Sequence, residues 1–498
     1  MVWAAILPLR SVPALMPQIG KTIESSIYRM TNFMGGRPVT ITGDLVDILL
    51  STKTKDIPEE AQELARQVCL DGIGVMIAGA GEPLGLGRLA FEYTKELGGE
   101  PTSSLICGGF KSNALNAAYA NGCLAHALDF DNTWWPLNHP TSPTLPAILA
   151  IAERDGCSGS DIVRSIVLSF EVQGRMRVAS ASIDAGTGFH KPGVSGLMGA
   201  VTASGILLGL DEDQFLRAFG IGGSRAGSIS TNTGTMTKSS HSGHAARMGV
   251  ECATLAKIGW TANKDMFGAG GFLELFYGAD HVDRDLLLKE FADPFRMINP
   301  GVGFKKHPAN YFTHRPIDAS IELATTHDLQ PENIDSVNVD FPTFHYVNRP
   351  NPETGLDGKF SVQYATTVAL LDRKVKVASF SDKRRFSPDV EELLPRVHLN
   401  MRNDITRSFQ DCYAIVTVQT KDGQKLVERC DKPRGIWGMP LTRDERIAKF
   451  RDCCELALPT EQTDRVIEIV EELDSLENVS ELMDIIRDGK AITPEWNS

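Results

Sequence analysis

The apolar residues of this chain change their spacing twice, and this change constrains the fold more than any single motif does. From about residue 56 to 298 they recur with the period of an amphipathic helix. After Pro300 short segments alternate apolar and polar residues, and Asp422-Gly423 provides the turn between two of them. Beyond Pro440 the helical period returns. The pattern predicts a large helical domain that is interrupted by a smaller α+β domain.

A chain of 498 residues exceeds the size at which a single hydrophobic core keeps growing, so we expect two domains. The predicted fold class is mainly α with α+β: a large all-helical domain plus a smaller α+β lid domain. The predicted segments are a leader at 1–39, the first part of the helical domain at 40–299, the lid domain at 300–438 and the C-terminal part of the helical domain at 439–498.

The first 38 residues carry several basic side chains against a single acid, Glu24. The basic residues are Arg10, Lys21, Arg29 and Arg37. A basic segment that is poor in acids is typical of a mitochondrial presequence. The same pattern would arise if translation really began at Met30 or Met34 and the start codon had been assigned too far upstream. We therefore expect a presequence or a disordered leader on an intracellular protein, which is either mitochondrial or cytoplasmic.

The net charge of -13 and the isoelectric point near 5.4 argue against nucleic acid and anionic membranes as partners. An anionic substrate would need a local basic pocket inside this acidic field.

Nine cysteines without regular spacing fit reduced, mostly buried thiols rather than disulfides or a zinc site. The segment Gly193–Leu210 carries no charge but is interrupted by glycines and small polar residues, so we expect a buried helix there and not a membrane span.

One predicted helix carries an acidic and a basic residue among its apolar residues. Ser160 is expected to cap this helix, because helical spacing of apolar residues begins directly after it. Glu171 and Arg175 lie four residues apart further along. Side chains at this spacing meet on a helix surface, so we expect a structural ion pair rather than a catalytic one.

Residues 126–140 concentrate groups that handle protons. The segment holds two histidines, two aspartates and a threonine: His126, Asp129, Asp131, Thr133 and His139. Its prolines remove backbone donors and break helices, so we expect an irregular loop over Asp131–Pro143 between two helices. We interpret this loop as the active site. The alternative is that Asp131 and Asn132 only form turns and that Trp134 and Trp135 belong to the core.

Two other motifs lack residues that their chemistry needs. The run from Gly220 to Gly223 begins like a dinucleotide-binding loop, but Arg225 stands where the third glycine belongs and no strand precedes it. His241 and His244 have a spacing that some metal sites use, but no cysteine or carboxylate lies nearby in sequence to complete a zinc shell. The chain also lacks the nucleophile elbow of α/β-hydrolases and the P-loop of nucleotide-binding proteins.

Further polar residues stand alone in apolar or glycine-rich surroundings. They are His190 in GTGFHKPG, Lys238 in TMTKSSHSGHAA, Lys305 and Lys306 in GFKKHPAN, and Tyr346 in HYVNRP. Together with HALDFDNTW, EVQGR and FSVQYA, these segments resemble the MmgE/PrpD family in their order and spacing. The resemblance runs from about residue 40 to the C-terminus.

The resemblance implies an active site in a cleft between the two domains, a homodimer, and neither a metal nor an organic cofactor. It also implies a small di- or tricarboxylate substrate, with no nucleic acid and no membrane as partner. The segments are most similar to those of members that decarboxylate cis-aconitate, so the expected reaction converts cis-aconitate or an alkyl-substituted aconitate to an itaconate-type product. Dehydration of 2-methylcitrate or another alkylcitrate is the main alternative. A polycarboxylate epimerase or isomerase and a catalytically inactive homologue are lesser ones.

Site residues carry over from the family position by position. The implied catalytic residues are His139, Asp129 and Tyr346. The implied substrate-binding residues are Thr133, His190, Lys238, Lys305 and Asn310. In this scheme His139 donates a proton and is held by Asp129, the two lysines bind carboxylates, and Tyr346 and His190 orient the substrate.

Asn310 departs from the family pattern, because some members carry a histidine at this position. An amide can form hydrogen bonds but cannot carry a proton near neutral pH. His307 and His314 flank Asn310 and could compensate if a helical turn forms there. The remaining conspicuous loop residues are assigned structural roles; these are His126, Asp131, Trp134 and Trp135.

Overall fold

A computed structural model of the protein describes residues 40–181, 188–455 and 457–490. The predicted leader lies outside the described residues. Helices dominate the described chain and a small mixed sheet accompanies them, which confirms the predicted fold class. No helix in these ranges is long and apolar enough to cross a membrane.

Ten α-helices lie in the described residues before Pro300. They are α1 (Ile41–Ser51), α2 (Glu59–Ala80), α3 (Leu86–Leu97), α4 (Ala114–Ala127), α5 (Thr141–Asp155), α6 (Gly159–Ala179), α7 (Ser195–Leu207), α8 (Glu212–Gly223), α9 (Met236–Lys257) and α10 (Phe272–Tyr277). Two short antiparallel strands, β1 (Ser103–Ser104) and β2 (Lys111–Ser112), precede α4. Helix α9 is central, since it packs against α4, α5, α7 and α8.

Helices α4 and α9 approach each other closely because glycines face each other where they cross. A Cβ atom on Gly122 would lie 2.7 Å from the Cα atom of Gly243, and one on Gly243 would lie 2.4 Å from the carbonyl oxygen of Tyr119. Any larger residue would push the helices apart. The close approach brings Lys238, in the first turn of α9, next to the loop that follows α4.

The sheet of the second part has the order β4-β3-β5-β6. Its strands are β3 (Ile334–Pro342), β4 (Val397–Arg402), β5 (Ala414–Thr420) and β6 (Lys425–Cys430). Strand β3 runs parallel to β4 and antiparallel to β5, and β5 pairs with β6 as a hairpin. Gly423 takes a φ of +90° in the turn, which glycine adopts without strain. The predicted strands and hairpin are confirmed.

The remaining helices divide between the sheet and the first core. They are α11 (His314–Thr326), α12 (Val362–Asp372), α13 (Asp382–Arg385), α14 (Pro388–Leu393), α15 (Arg443–Cys454), α16 (Thr460–Glu471) and α17 (Ser480–Asp488). Helices α11 and α12 pack on the sheet, whereas Phe450 of α15 and Val466 of α16 share the apolar core of the first ten helices. These separate cores support our proposal that 300–438 form a lid domain and that the following helices rejoin the helical domain.

Four local predictions have clear outcomes. Ser160 does not cap α6: the cap is Ser158, whose hydroxyl accepts from the backbone N–H of Asp161. The ion pair is confirmed, with Arg175 Nε 2.7 Å from a Glu171 oxygen and both side chains buried. The apolar run becomes the buried helix α7. All nine cysteines are free thiols, as predicted.

Three consecutive carbonyl groups after α4 each accept a hydrogen bond from a different buried lysine. The pairs are Lys359 with Leu128, Lys305 with Asp129, and Lys449 with Phe130. The lysines come from the turn before α12, the segment after Pro300 and helix α15. The loop is therefore fixed by distant parts of the chain rather than by its own local structure.

The burial of Lys359 should make stability depend on pH. Burial lowers the pKa of its ammonium group to about 7 from the ordinary value of 10.5, although Asp129 and Glu82 oppose the shift. Between these two pH values the unfolded chain binds more protons than the folded one, so the cost of burying this group falls and the fold becomes more stable as the pH rises. We expect the free energy of unfolding of the wild type, relative to Lys359→Met, to grow by about 1 kcal/mol or more between pH 7 and pH 9.

Urea denaturation of both proteins at several pH values measures this difference. Lys421→Met is the matched control, because Lys421 is exposed and its replacement should leave the pH dependence unchanged. A difference between wild type and Lys359→Met that stays constant from pH 7 to pH 9 would contradict the assignment.

Candidate active site

The proton-handling segment forms the loop between α4 and α5, as predicted. The loop is three residues shorter at its end than expected, because α5 begins at Thr141 and Pro143 lies in its first turn. Proline is tolerated there, since the first backbone N–H groups of a helix have no partner within it. Thr133 anchors the loop through reciprocal backbone hydrogen bonds with Gly303, at 2.9 and 2.7 Å.

Asp129 lies at the centre of the site between two lysines. Its Oδ1 atom is 3.0 Å from Lys238 Nζ and 3.3 Å from Lys305 Nζ. Burial alone would raise the pKa of this carboxyl, but the two ammonium groups hold it well below its usual range. The φ angle of +51° is one that aspartate adopts more readily than most residues. Asp129 is therefore a fixed negative charge in a positive surrounding.

Asp131 joins two histidines and is more than a turn residue. One carboxylate oxygen is 2.9 Å from His126 Nδ1, and the other is 3.1 Å from His139 Nδ1. Burial would raise the pKa of Asp131, but the histidines hold it well below its usual range. An ionised carboxylate can only accept, so both histidines carry a proton on Nδ1. The purely structural role that we assigned to Asp131 from the sequence is therefore incomplete.

The bond to Asp131 determines what His139 presents to the site. With Nδ1 donating to Asp131, Nε2 is the atom that can exchange a proton. This Nε2 atom lies 4.0 Å from Asp129 Oδ1, and the His139 side chain is 20% exposed. His126 is fully buried, and burial lowers its pKa to about 4, so its ring is neutral at pH 7. Of the two histidines, His139 is the one placed for proton transfer.

His190 completes a group of neighbouring imidazole rings. Its ring centre lies 5.3 Å from that of His126 and 6.3 Å from that of His139. Its Nδ1 atom is 3.1 Å from Nδ1 of His241 on α9. Burial, together with the neighbouring histidines and Lys238, lowers the pKa of His190 far below its ordinary value. His190 is therefore a neutral hydrogen-bonding group.

A cavity of about 420 Å³, called the main cavity here, opens beside these groups. Six of the predicted site residues line it, namely Asp129, Thr133, His139, His190, Lys305 and Asn310. Its other walls include Leu137, Phe189, Phe312 and Phe409, so one part of the cavity is apolar. The lining comes from both parts of the chain, which agrees with a site in a cleft between them.

Two predicted residues lie beside the main cavity rather than on its wall. Lys238 lines a smaller rear cavity of about 70 Å³, which shares Asp129 with the main one. Tyr346 is 44% exposed, and its hydroxyl donates to Asn310 Oδ1 over 3.5 Å. Lys306 points elsewhere, with its ammonium group 3.5 Å from Glu445.

The histidines that flank Asn310 do not replace a histidine at that position. His307 Nε2 is 2.9 Å from an Asp318 oxygen, and His314 Nε2 is 3.4 Å from the carbonyl oxygen of Ala309. Neither side chain lines the main cavity. The structure does not support the expected compensation, because each ring is bonded to a partner that does not line the main cavity.

Four side chains could hold a metal ion by geometry alone. Ligand atoms of His126, Asp129, Asp131 and His139 all lie within 4.8 Å of one another. However, Asp129 Oδ1 already faces two ammonium groups, and each oxygen of Asp131 is bonded to a histidine nitrogen. Nearby lysine charges also disfavour a divalent cation. The donor set fits proton and anion chemistry better than metal binding.

Sequence reasoning missed three groups that shape the site. Asp131 and His241 bond to histidines of the main cavity, and Lys359 lines the rear cavity together with Lys238. The FSVQYA segment, which follows Lys359 directly, was the signal that could have drawn attention to it. His241 was considered only as a metal ligand, whereas its actual partner is another imidazole.

The MmgE/PrpD N-terminal domain matches residues 43–285, and the MmgE/PrpD C-terminal domain matches residues 307–475. Cis-aconitate decarboxylase of Mus musculus is 30% identical over 92% of this chain and 95% of its own length. The Homo sapiens protein of the same name is 30% identical over 90% and 95%, and that of Aspergillus terreus is 26% identical over 90% and 96%. The chain therefore belongs to the MmgE/PrpD family.

Proposed function

We propose that the protein is a carboxy-lyase that needs no cofactor and converts cis-aconitate, or an alkyl-substituted aconitate, to an itaconate-type product. The observation that carries this proposal is the position of His139: its Nδ1 is held by Asp131 while its Nε2 faces the cavity beside Asp129 and the lysines. The relatives named cis-aconitate decarboxylase support the same reaction class.

The proposed reaction balances with one proton and no redox change. The C–C bond between the leaving carboxylate and the methylene carbon breaks, and the electron pair of this bond forms the new terminal double bond. The electrons of the original double bond move to the distal carbon, where a proton adds. The products are carbon dioxide and a dicarboxylate with a terminal methylene group. The site must therefore bind carboxylates, stabilise a delocalised anion and deliver a proton to carbon.

Each of these tasks has a candidate residue in or beside the main cavity. His139 would deliver the proton from Nε2, since its other nitrogen is fixed by Asp131. Lys305, which is almost completely buried, and Lys238 would stabilise the anion and the remaining carboxylates. If a bound substrate displaces water from the cavity, these charges would act more strongly than they do in solution. His190, Thr133, Asn310 and Tyr346 would orient the substrate by hydrogen bonds.

The apolar wall of the main cavity supports an alkyl-substituted substrate. Leu137, Phe312 and Phe409, which belong to one apolar cluster, line it together with groups that suit carboxylates. A volume of about 420 Å³ lies within the range of ordinary small-ligand sites, which reaches about 1,000 Å³. A hydrocarbon substituent would find apolar contacts there that an unsubstituted tricarboxylate would leave unused.

The first prediction concerns the reaction itself. Incubation of the protein with cis-aconitate or an alkyl-substituted aconitate should release carbon dioxide and produce terminal methylene protons that are visible by NMR. In heavy water, one deuteron should appear on the carbon that receives the proton. Formation of an aconitate from 2-methylcitrate without release of carbon dioxide would instead identify the protein as a dehydratase.

The second prediction concerns the pair of His139 and Asp131. His139→Ala should lower kcat by about 100-fold or more, as expected when a general acid is removed. Asp131→Asn should lower kcat comparably, because an amide can donate to His139 Nδ1 and so favour the wrong tautomer. His327→Ala, on an exposed histidine far along the chain, is the control and should retain full activity. Near wild-type turnover by His139→Ala would remove His139 from the mechanism.

The third prediction concerns substrate choice at Asn310. This residue lines the main cavity and accepts the Tyr346 hydroxyl. A histidine is larger, so Asn310→His should lower kcat/KM for an alkyl-substituted aconitate relative to cis-aconitate, by about fivefold or more if one hydrogen bond or contact is lost. Measurement of kcat/KM for both substrates tests this. Equal changes for the two substrates would show that Asn310 does not select the substituent.

A further inference from the structure

His190 and His241 are bonded directly to each other through their ring nitrogens. The two Nδ1 atoms lie 3.1 Å apart, and the ring centres lie 5.2 Å apart. His241 is 7% exposed and sits one helical turn after Lys238 on α9. The same face of α9 therefore supplies one partner to Asp129 and another to His190.

A bond between two imidazoles fixes the tautomer of each ring. One nitrogen must donate and the other must accept, because two lone pairs or two N–H groups would repel each other. His190 is neutral, since burial and the nearby His126, Lys238 and His139 lower its pKa. A neutral ring carries a single proton, so the role of Nδ1 determines whether Nε2 is a donor or an acceptor.

We propose that His241 is a positioning residue: it donates from Nδ1 to His190 Nδ1, so that His190 keeps its proton on Nε2 and offers an N–H group to a carboxylate in the main cavity. The proposal rests on the proposed function only in that an anionic ligand occupies this cavity. In the opposite tautomer His190 would present a lone pair to the anion, which would weaken binding.

The backbone around His190 supports this arrangement. The N–H group of His190 donates to the carbonyl oxygen of Ser228 over 2.9 Å, and its carbonyl oxygen accepts from Gly193 over 3.1 Å. These bonds hold the main chain, and the bond to His241 then holds the ring. His241 is not among the residues that line the main cavity, so it acts on a ligand only through His190.

A tricarboxylate that binds but cannot react allows the effect of His241 on binding to be measured apart from any effect on catalysis. Tricarballylate has no double bond, so it cannot undergo the allylic decarboxylation, and calorimetry measures its Kd without turnover. The amide nitrogen of asparagine can replace Nδ1 of histidine as a donor, whereas phenylalanine cannot donate. We expect His241→Asn to bind tricarballylate within about threefold of the wild type and His241→Phe to bind it about tenfold more weakly or worse.

His244→Phe is the matched control, because His244 lies on the next part of α9 and bonds to the Arg225 carbonyl oxygen outside the site. It should bind tricarballylate as the wild type does. Wild-type affinity of His241→Phe, or equal weakening by His241→Asn and His241→Phe, would overturn the proposal.

A spectroscopic measurement keeps the proposal testable even if His241→Phe fails to fold. Solid-state 15N NMR of histidine-labelled wild-type protein distinguishes protonated from unprotonated ring nitrogens, and His190→Asn assigns the signals of His190. We expect Nε2 of His190 to be protonated and Nδ1 to be unprotonated. The reverse result would overturn the proposal, whereas absence of decarboxylase activity alone would overturn only the proposed function.

Discussion

The site depends on the burial of lysine ammonium groups against one short loop. The backbone carbonyl groups of Leu128, Asp129 and Phe130 accept hydrogen bonds from Lys359, Lys305 and Lys449, respectively. Lys305 also faces the Asp129 carboxylate. A buried ammonium group without partners would be very costly, so these bonds are required by the fold and not optional additions. Because the three lysines come from three distant segments, the loop reaches its conformation only when both parts of the chain are assembled.

This arrangement would let an acidic protein hold an anionic substrate, as the proposed function requires. The net charge is -13, yet Lys238 and Lys305 bring two amino groups to one point in the interior. Asp129 balances part of this charge, since its carboxylate lies 3.0 Å from the ammonium group of Lys238 and 3.3 Å from that of Lys305. A carboxylate that enters the cavity would share these ammonium groups with Asp129. The positive field is thus prepared in advance, and binding needs no large rearrangement of charge.

The sequence predicted the fold and most of the loop, because those features depend on local patterns. Alternation of apolar residues marked β3 to β6, and the prolines marked the loop before Thr141. The cap at Ser158 instead of Ser160 shows the usual uncertainty of a helix end. Asp131 and His241 were underestimated for two other reasons. The partners of Asp131 lie in the same segment, but its contacts depend on how the loop folds, whereas the partner of His241 is known only once α9 and the segment around His190 are packed together. Residue type alone could not show which nitrogen of which histidine each would meet.

The two cavity histidines are held by partners of different kinds, and this difference separates their chemistry. His139 bonds to Asp131, and a carboxylate partner stabilises the imidazole whether or not the ring gains a second proton. His190 bonds to a second imidazole and stands near Lys238, surroundings that oppose a positive charge on the ring. One ring can therefore change its charge during a reaction while the other keeps it. The proposed reaction, which protonates a carbon and holds a polyanion, would use both kinds of ring, and the partner of each histidine determines which kind it is.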